Sequence, residues 1–229
     1  MREAEPRIPP YSPASIPWDG IDTVLVDMDG TLLDLAFDNI FWLEIVPARY
    51  AKQNRLSEED ARQELTARYQ ALEGSLSWYC IDHWTEDLGL DIRGLKWEHR
   101  RHIRYLPRAP SFLASVRERG KRLLVVTNAH RAALAVKLRQ TGLEGEVHRL
   151  VSSHDFSAPK ESQAFWERLQ RDENFDPERT VLIEDSLAVL SAARAFGVRF
   201  TIAIRCPDSR HPPRHIDAFP AVDGVHELA

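Results

Sequence analysis

The sequence predicts an α/β fold built on a doubly wound parallel sheet, with a helical segment inserted after the first strand. Three observations predict it. Short apolar, β-branched runs recur along the chain and end on polar residues, as strands buried on both faces do. Single helical patterns separate most of these runs, which argues for parallel strands joined by crossover helices. One stretch of about seventy residues, from Leu35 to about Tyr105, carries helical signals and no strand run of comparable quality.

The elements follow in order. Residues 1–20 hold Pro6, Pro9, Pro10, Pro13 and Pro17; proline fixes φ and lacks a donor, so this reads as an extended lead-in outside any sheet. Asp22–Asp27 is the first strand. In the helical segment, Ser57 precedes Glu58, Glu59 and Asp60, an N-cap with acids in the first turn, and helical spacing runs on to Tyr69. Pro107 and Pro110 would stiffen the return. Further strands are expected at Arg122–Thr127, Thr180–Glu184 and Arg199–Ile204, with a weaker one at Arg149–Ser152. Helices are expected at Pro110–Arg119, Arg131–Gln140, Glu161–Arg171 and Leu187–Phe196. Residues 21–34 and 108–229 then make an α/β core, and residues 35–107 a helical cap. The tail after Pro207 carries no readable pattern.

Composition narrows the function classes. The chain has 229 residues, 43% hydrophobic and 28% charged, with a formal net charge of −5. Nothing in that balance draws it to a nucleic acid polymer or an anionic membrane. Arg93, Arg100, Arg101 and Arg104, around His99 and His102, read as a solvated helix face. No run approaches the ~18 apolar residues of a membrane span, and the start has no apolar signal-peptide core, so a cytoplasmic location is expected. Cys80 and Cys206 are the only cysteines. They suggest neither a disulfide framework nor a zinc pattern, and His148, His154, His211 and His215 have no metal-ligand spacing. A monomer or a homodimer is expected.

Four motifs carry chemistry, three of them at expected strand ends, where open α/β sheets bind ligands. Asp27-Met28-Asp29-Gly30-Thr31 places two carboxylates two residues apart, with a glycine that permits a sharp turn. Thr127-Asn128 offers a hydroxyl and an amide. Lys160, after Pro159, opens a helix. Glu184-Asp185-Ser186 closes another strand. Each string alone is unremarkable: Asp27 and Asp29 could form a turn, Lys160 could be a surface lysine, and Glu184-Asp185 could cap a helix. Together they give crowded acids and one lysine. Close carboxylates repel by roughly 4 kcal/mol per pair at an effective dielectric near 20, so the cluster calls for a cation. All-oxygen ligands suit Mg²⁺. A carboxylate nucleophile beside such an ion suits phosphoryl transfer. His130, just after Asn128, is a candidate to line the same site.

These four motifs, in this order, resemble those of the haloacid dehalogenase superfamily, and the resemblance covers roughly Asp22 to Ile204. It implies a Rossmann-like core with an inserted helical cap of the C1 type. It implies further that Asp27 attacks phosphorus and that Asp29 protonates the leaving alkoxide, then activates water. Thr127 and Lys160 would hold phosphoryl oxygens, and Asn128 would orient the phosphate or the nucleophile. Asp27, the Asp29 backbone carbonyl and Asp185 would bind Mg²⁺, with Glu184 close by or acting through water. Asp29 favours phosphoryl chemistry over halide removal, because a halide needs no proton donor.

The cap segment offers aromatic rings beside amides and carboxylates: Phe37, Asp38, Asn39 and Trp42, then Trp78 and Tyr79. Such a set can stack on a purine and read its edge, stacking being worth ~1–3 kcal/mol per base. The same helix-spaced rings could equally form the cap's own core. The strings Asp27–Asn39, Trp78-Tyr79-Cys80 and Thr127-Asn128-Ala129-His130 are also similar to those of the superfamily's bacterial GMP/IMP nucleotidases. That similarity implies a small phosphate-ester substrate, a purine nucleoside 5′-monophosphate. Glu184-Asp185 departs from the Asp-Asp pair common at that place. A sugar-phosphate phosphatase or phosphomutase would share all four motifs. A non-catalytic nucleotide-binding module on the same fold is the third reading.

Overall fold

The structure is a computed structural model and describes residues 17–229; the proline-rich lead-in therefore lies outside the described residues as far as residue 16. The sheet has β1 (Thr23–Val26), β2 (Arg122–Thr127), β3 (Arg149–Ser152), β4 (Thr180–Glu184), β5 (Phe200–Ile204) and β6 (Ala221–Val222). They run in the order β3-β2-β1-β4-β5-β6, every neighbouring pair parallel. β1 is central: Val26 pairs with Val125 on one side and Ile183 on the other.

Alternation along the strands explains the two layers of packing. Val24 and Val26 face α7 (Ala109–Glu118) and α8 (Arg131–Thr141), through Phe112, Leu113, Val116 and Leu134. Leu25 faces the opposite layer, α9 (Gln163–Glu173) and α10 (Leu187–Phe196), through Phe165, Trp166 and Leu190. Both sheet faces are thus covered, which is why the strands read as continuous apolar runs.

Between β1 and β2 come α1 (Ala36–Ile40), α2 (Val46–Asn54), α3 (Glu58–Leu72), α4 (Leu76–Tyr79), α5 (Ile81–Leu88) and α6 (Ile92–His99). A π-helical turn, Phe41–Ile45, links α1 to α2 ahead of Pro47, whose missing N–H could not continue a regular ladder. Ser57 caps α3 as the sequence predicts, accepting from the Asp60 N–H at 3.1 Å. The chain leaves and regains the core side by side. Leu33 bridges Tyr105 in antiparallel fashion, the Asp34 N–H donates to the Arg104 carbonyl, and the Leu106 N–H donates to that of Leu32. Among the described residues no helix is long and apolar enough to cross a membrane.

Two expectations need correction. Lys160 does not open a helix: Pro159–Ser162 form a turn, Ser162 is the N-cap, and α9 starts at Gln163. The tail after Pro207 is structured. It supplies β6, the buried Asp208, and Val225 and Leu228, which join the core cluster that includes α7 residues. Two residues of strand are too short to leave a periodic signal.

Candidate active site

β1, β2 and β4 are neighbours and end at the same edge, so their last residues and those just beyond converge. Asp27 leaves β1 with its N–H bonded to the Ile183 carbonyl at 2.9 Å. The chain then turns at once. Gly30 adopts φ +92°, its N–H donates to the Leu33 carbonyl, and Asp29 stays at the cavity edge. Thr127 ends β2, its hydroxyl accepting from the Ala129 N–H at 3.0 Å. Asn128 fixes the next loop, its Oδ1 accepting from the Lys160 N–H at 2.9 Å and its amide donating to Glu161 at 3.0 Å.

Lys160 is buried at the centre. Its ammonium donates to Asp27 Oδ1 at 2.5 Å, Glu184 Oε2 at 2.7 Å and the Val126 carbonyl at 2.9 Å. The charges of Asp27 and Glu184 hold its pKa above the ordinary lysine value despite burial. That single cation does not balance the acids. Carboxylate oxygens of Asp27, Glu184 and Asp185 lie within 4.8 Å of one another. Burial, reinforced by the Glu184 charge, pushes Asp27 up to about 7. Burial likewise pushes Glu184 and Asp185 up to about 7. Asp27 Oδ2 is buried with no hydrogen-bond partner among the described residues. An orphaned carboxylate oxygen facing an excess of buried negative charge fits a hard divalent cation.

A second ionic network meets Asp29. Lys137 of α8 contacts Asp29 Oδ1 and Asp38 Oδ2, each at 2.6 Å, and Lys96 of α6 contacts Asp38 Oδ1 at 2.7 Å. Burial raises the pKa of Asp29 and Lys137 works against that rise. Lys137, then Lys96, hold Asp38 well below the usual carboxylate range although burial opposes them. The Lys96 ammonium also sits over the Phe41 ring, 4.2 Å from its centroid.

These groups border a cavity of about 590 Å³ that Asp27, Asp29, Thr127, Asn128, Lys160, Glu184 and Asp185 all line. Trp42, Trp78, Tyr79 and Asn39 line it too. Trp42, Tyr69, Trp78 and Trp84 make one aromatic wall, Tyr69 standing edge-on to the other three at 5.0–5.8 Å between ring centroids. Tyr79 turns its hydroxyl to Glu161 at 2.6 Å, joining α4 to the Asn128–Lys160 loop. The Asn39 amide is engaged by Asp208 at 2.7 Å. Phe37 is the exception among the aromatic candidates. It is 2% exposed, packs against Phe41 and lies under Lys96, so it belongs to the core and does not line the cavity. His130 caps α8 outside the cavity lining.

Sequence reasoning missed Lys96, Lys137, Glu161 and Arg214. For the first two a signal existed. Lys137 falls four residues after Ala133 and Lys96 four after Ile92, so both are charges at core-facing helix positions. Arg214, bonded to the Asp185 and Ile204 carbonyls, had no local signal.

A parallel α/β sheet with acids gathered at the ends of its central strands is the architecture of an α/β enzyme whose chemistry sits at the strand ends. The chain belongs to the haloacid dehalogenase-like hydrolases, whose family model matches residues 21–197. The GMP/IMP nucleotidase YrfG of Escherichia coli (strain K12) is 38% identical over 214 residues, 93% of this chain and 96% of that protein. Among solved structures, a HAD phosphatase from Thermococcus onnurineus superposes with a TM-score of 0.77 at 20% identity, covering 91% of this chain and 96% of its own. The L-2-haloacid dehalogenase of Xanthobacter autotrophicus reaches 0.63 at 15% identity, with coverages of 91% and 96%. The fold is therefore shared by enzymes with different leaving groups, and the site has to decide the chemistry.

Proposed function

We propose that this hydrolase is a Mg²⁺-dependent phosphomonoesterase acting on purine nucleoside 5′-monophosphates through an aspartyl-phosphate on Asp27. The observation that carries the reading is Asp27 itself. It is buried, with one oxygen held by Lys160 and the other unpartnered, at the floor of an aromatic-walled cavity. The likeness to a GMP/IMP nucleotidase supports the purine part.

Asp27, Asp185 and the Asp29 backbone carbonyl would hold Mg²⁺, with Glu184 direct or through water; the ion would neutralise phosphoryl oxygens and polarise phosphorus. The Asp27 carboxylate attacks phosphorus in line with the ester oxygen. Asp29 gives its proton to the departing 5′-oxygen, and burial favours its protonated form for that step. The same carboxylate then takes a proton from the water that attacks phosphorus and frees Asp27. Lys160 and the Thr127 hydroxyl hold phosphoryl oxygens, and Asn128 fixes the loop that carries Lys160. Residues 35–107 act as a cap over the core at 21–34 and 108–229. The two segments bridged at Leu33 and Tyr105 are the hinge, and closure excludes water. Trp42 and Trp78 give the base its apolar faces.

The test is phosphate release from GMP, IMP, AMP, CMP, phosphoglycolate and sugar phosphates, with and without Mg²⁺. Preference for GMP and IMP is expected, with loss of turnover by at least roughly a thousandfold in Asp27→Asn. Best activity on sugar phosphates would remove the purine assignment. Full activity of Asp27→Asn would sink the mechanism.

A further inference from the structure

Cys80, His130 and His154 come from three distant parts of the chain and meet beside the active site. Cys80 sits between α4 and α5, directly after Trp78 and Tyr79. His130 caps α8, three residues beyond the end of β2. His154 lies in the short turn that follows β3. One ligand atom from each lies within 4.8 Å of the other two. The imidazoles stand edge to face, 4.8 Å between centroids and 83° between planes. All three residues are half-buried.

An independent observation points to a ligand. His154 Nε2 is buried and has no hydrogen-bond partner among the described residues. An unpartnered imidazole nitrogen facing a thiol and a second imidazole is the kind of atom a metal ion satisfies. Burial, and then the neighbouring His130, push His154 down to about 4, so the ring is neutral at neutral pH. His130 is held lightly. Its Nδ1 accepts a long 3.4 Å bond from the Ala132 N–H, and its Nε2 stands 3.7 Å from the Asp82 carboxylate. Asp82 is exposed and can serve as a fourth ligand or orient the ring.

We propose that Cys80, His130 and His154 form a second metal site, of thiolate–imidazole type, for a borderline divalent ion such as Zn²⁺. One sulfur and two nitrogens match the four-coordinate preference of that ion, with Asp82 or water in the fourth position. They do not suit Mg²⁺, which keeps the site chemically distinct from the oxygen cluster around Asp27. Binding releases the Cys80 thiol proton to solvent. Because Cys80 follows the aromatic cavity wall while both histidines stand on the sheet side, a bound ion ties the α4–α5 turn to the ends of β2 and β3.

The test is Co²⁺ titration of the full chain in saturating Mg²⁺, read by absorption. The expected result is a thiolate-to-cobalt charge-transfer band that saturates at one ion per chain and is displaced by Zn²⁺. The band should persist in Cys206→Ser and vanish in Cys80→Ser. It should need about tenfold more Co²⁺, or more, in His154→Gln. Absence of the band in the wild type, its survival in Cys80→Ser, or an unchanged affinity in His154→Gln would each overturn the proposal. Circular dichroism checks that the variants are folded, and His154→Gln provides the test should Cys80→Ser fail to fold.

Discussion

Gly30 makes the turn after Asp29 possible on two counts: its φ of +92° and its closeness to the neighbouring loop. A Cβ there would sit 2.8 Å from Asp185 Cγ and 3.0 Å from Pro207 Cβ. Gly30→Ala should therefore push Asp185 off its place and strain the backbone. A fall in kcat of roughly a hundredfold is expected for a displacement of that order, with a lower thermal midpoint in the same variant. Asp208 gives a pH signature. Burial opposes its ionisation, but hydrogen bonds from Arg210 and Asn39 lower its pKa from 3.8 to about 2. Ionised Asp208 thus stabilises the fold above the unfolded value, and that contribution is lost as pH falls through the folded one. The stability difference between wild type and Asp208→Asn should be constant above about pH 5, shrink as pH falls, and level off near about pH 1, as urea midpoints at each pH would report. At this scale the sequence was legible where residue type and strand end coincide, as at Asp27, Asp29, Thr127 and Glu184. It was silent at Arg214, whose role depends on where a tail lands. Phe37 misled because an aromatic ring next to a motif says nothing about which helix face it occupies.

Among the elements, one carboxylate on α1 joins ion pairs from both α6 and α8. Asp38 accepts from Lys96 and Lys137, and both lysines are almost wholly buried. Asp38→Ala leaves Lys96 buried without its anion, a change that costs roughly 3–5 kcal/mol. Adding Lys96→Met should recover part of that loss, and a double-mutant cycle in denaturant would measure the coupling. Lys137 keeps Asp29 as a partner, so the loss should be smaller on its side. Elements were the most readable level of this chain: β2, β3, β4 and α10 fall where the apolar runs put them. Helix starts were less so. Lys160 precedes its helix by about one turn: a Pro-Lys pair before an apolar pattern looks like a first turn, whereas Ser162 makes the cap.

Over the whole molecule, the last nine residues close one edge of the sheet. Val222, Val225 and Leu228 are at most 4% exposed, and full burial of such side chains contributes about 1.5–3 kcal/mol each. Ending the chain after Pro220 should lower the denaturant midpoint markedly and uncover the free edge of β5. The outermost strand on the tail side also explains why the motifs were legible and that edge of the sheet was not. The motifs repeat a chemical logic that any strand end can present, while β6 exists only through its pairing with β5. Sheet order has a further consequence. Synthesis proceeds from the N-terminus, yet the earliest of the described strands, Thr23–Val26, is the one that ends up in the middle. Its partners are β2, beginning at Arg122, and β4, beginning at Thr180. On the ribosome, Val24, Leu25 and Val26 must wait until β4 has been made before both flanks are covered, and a nascent chain stalled between those strands should be a strong chaperone client.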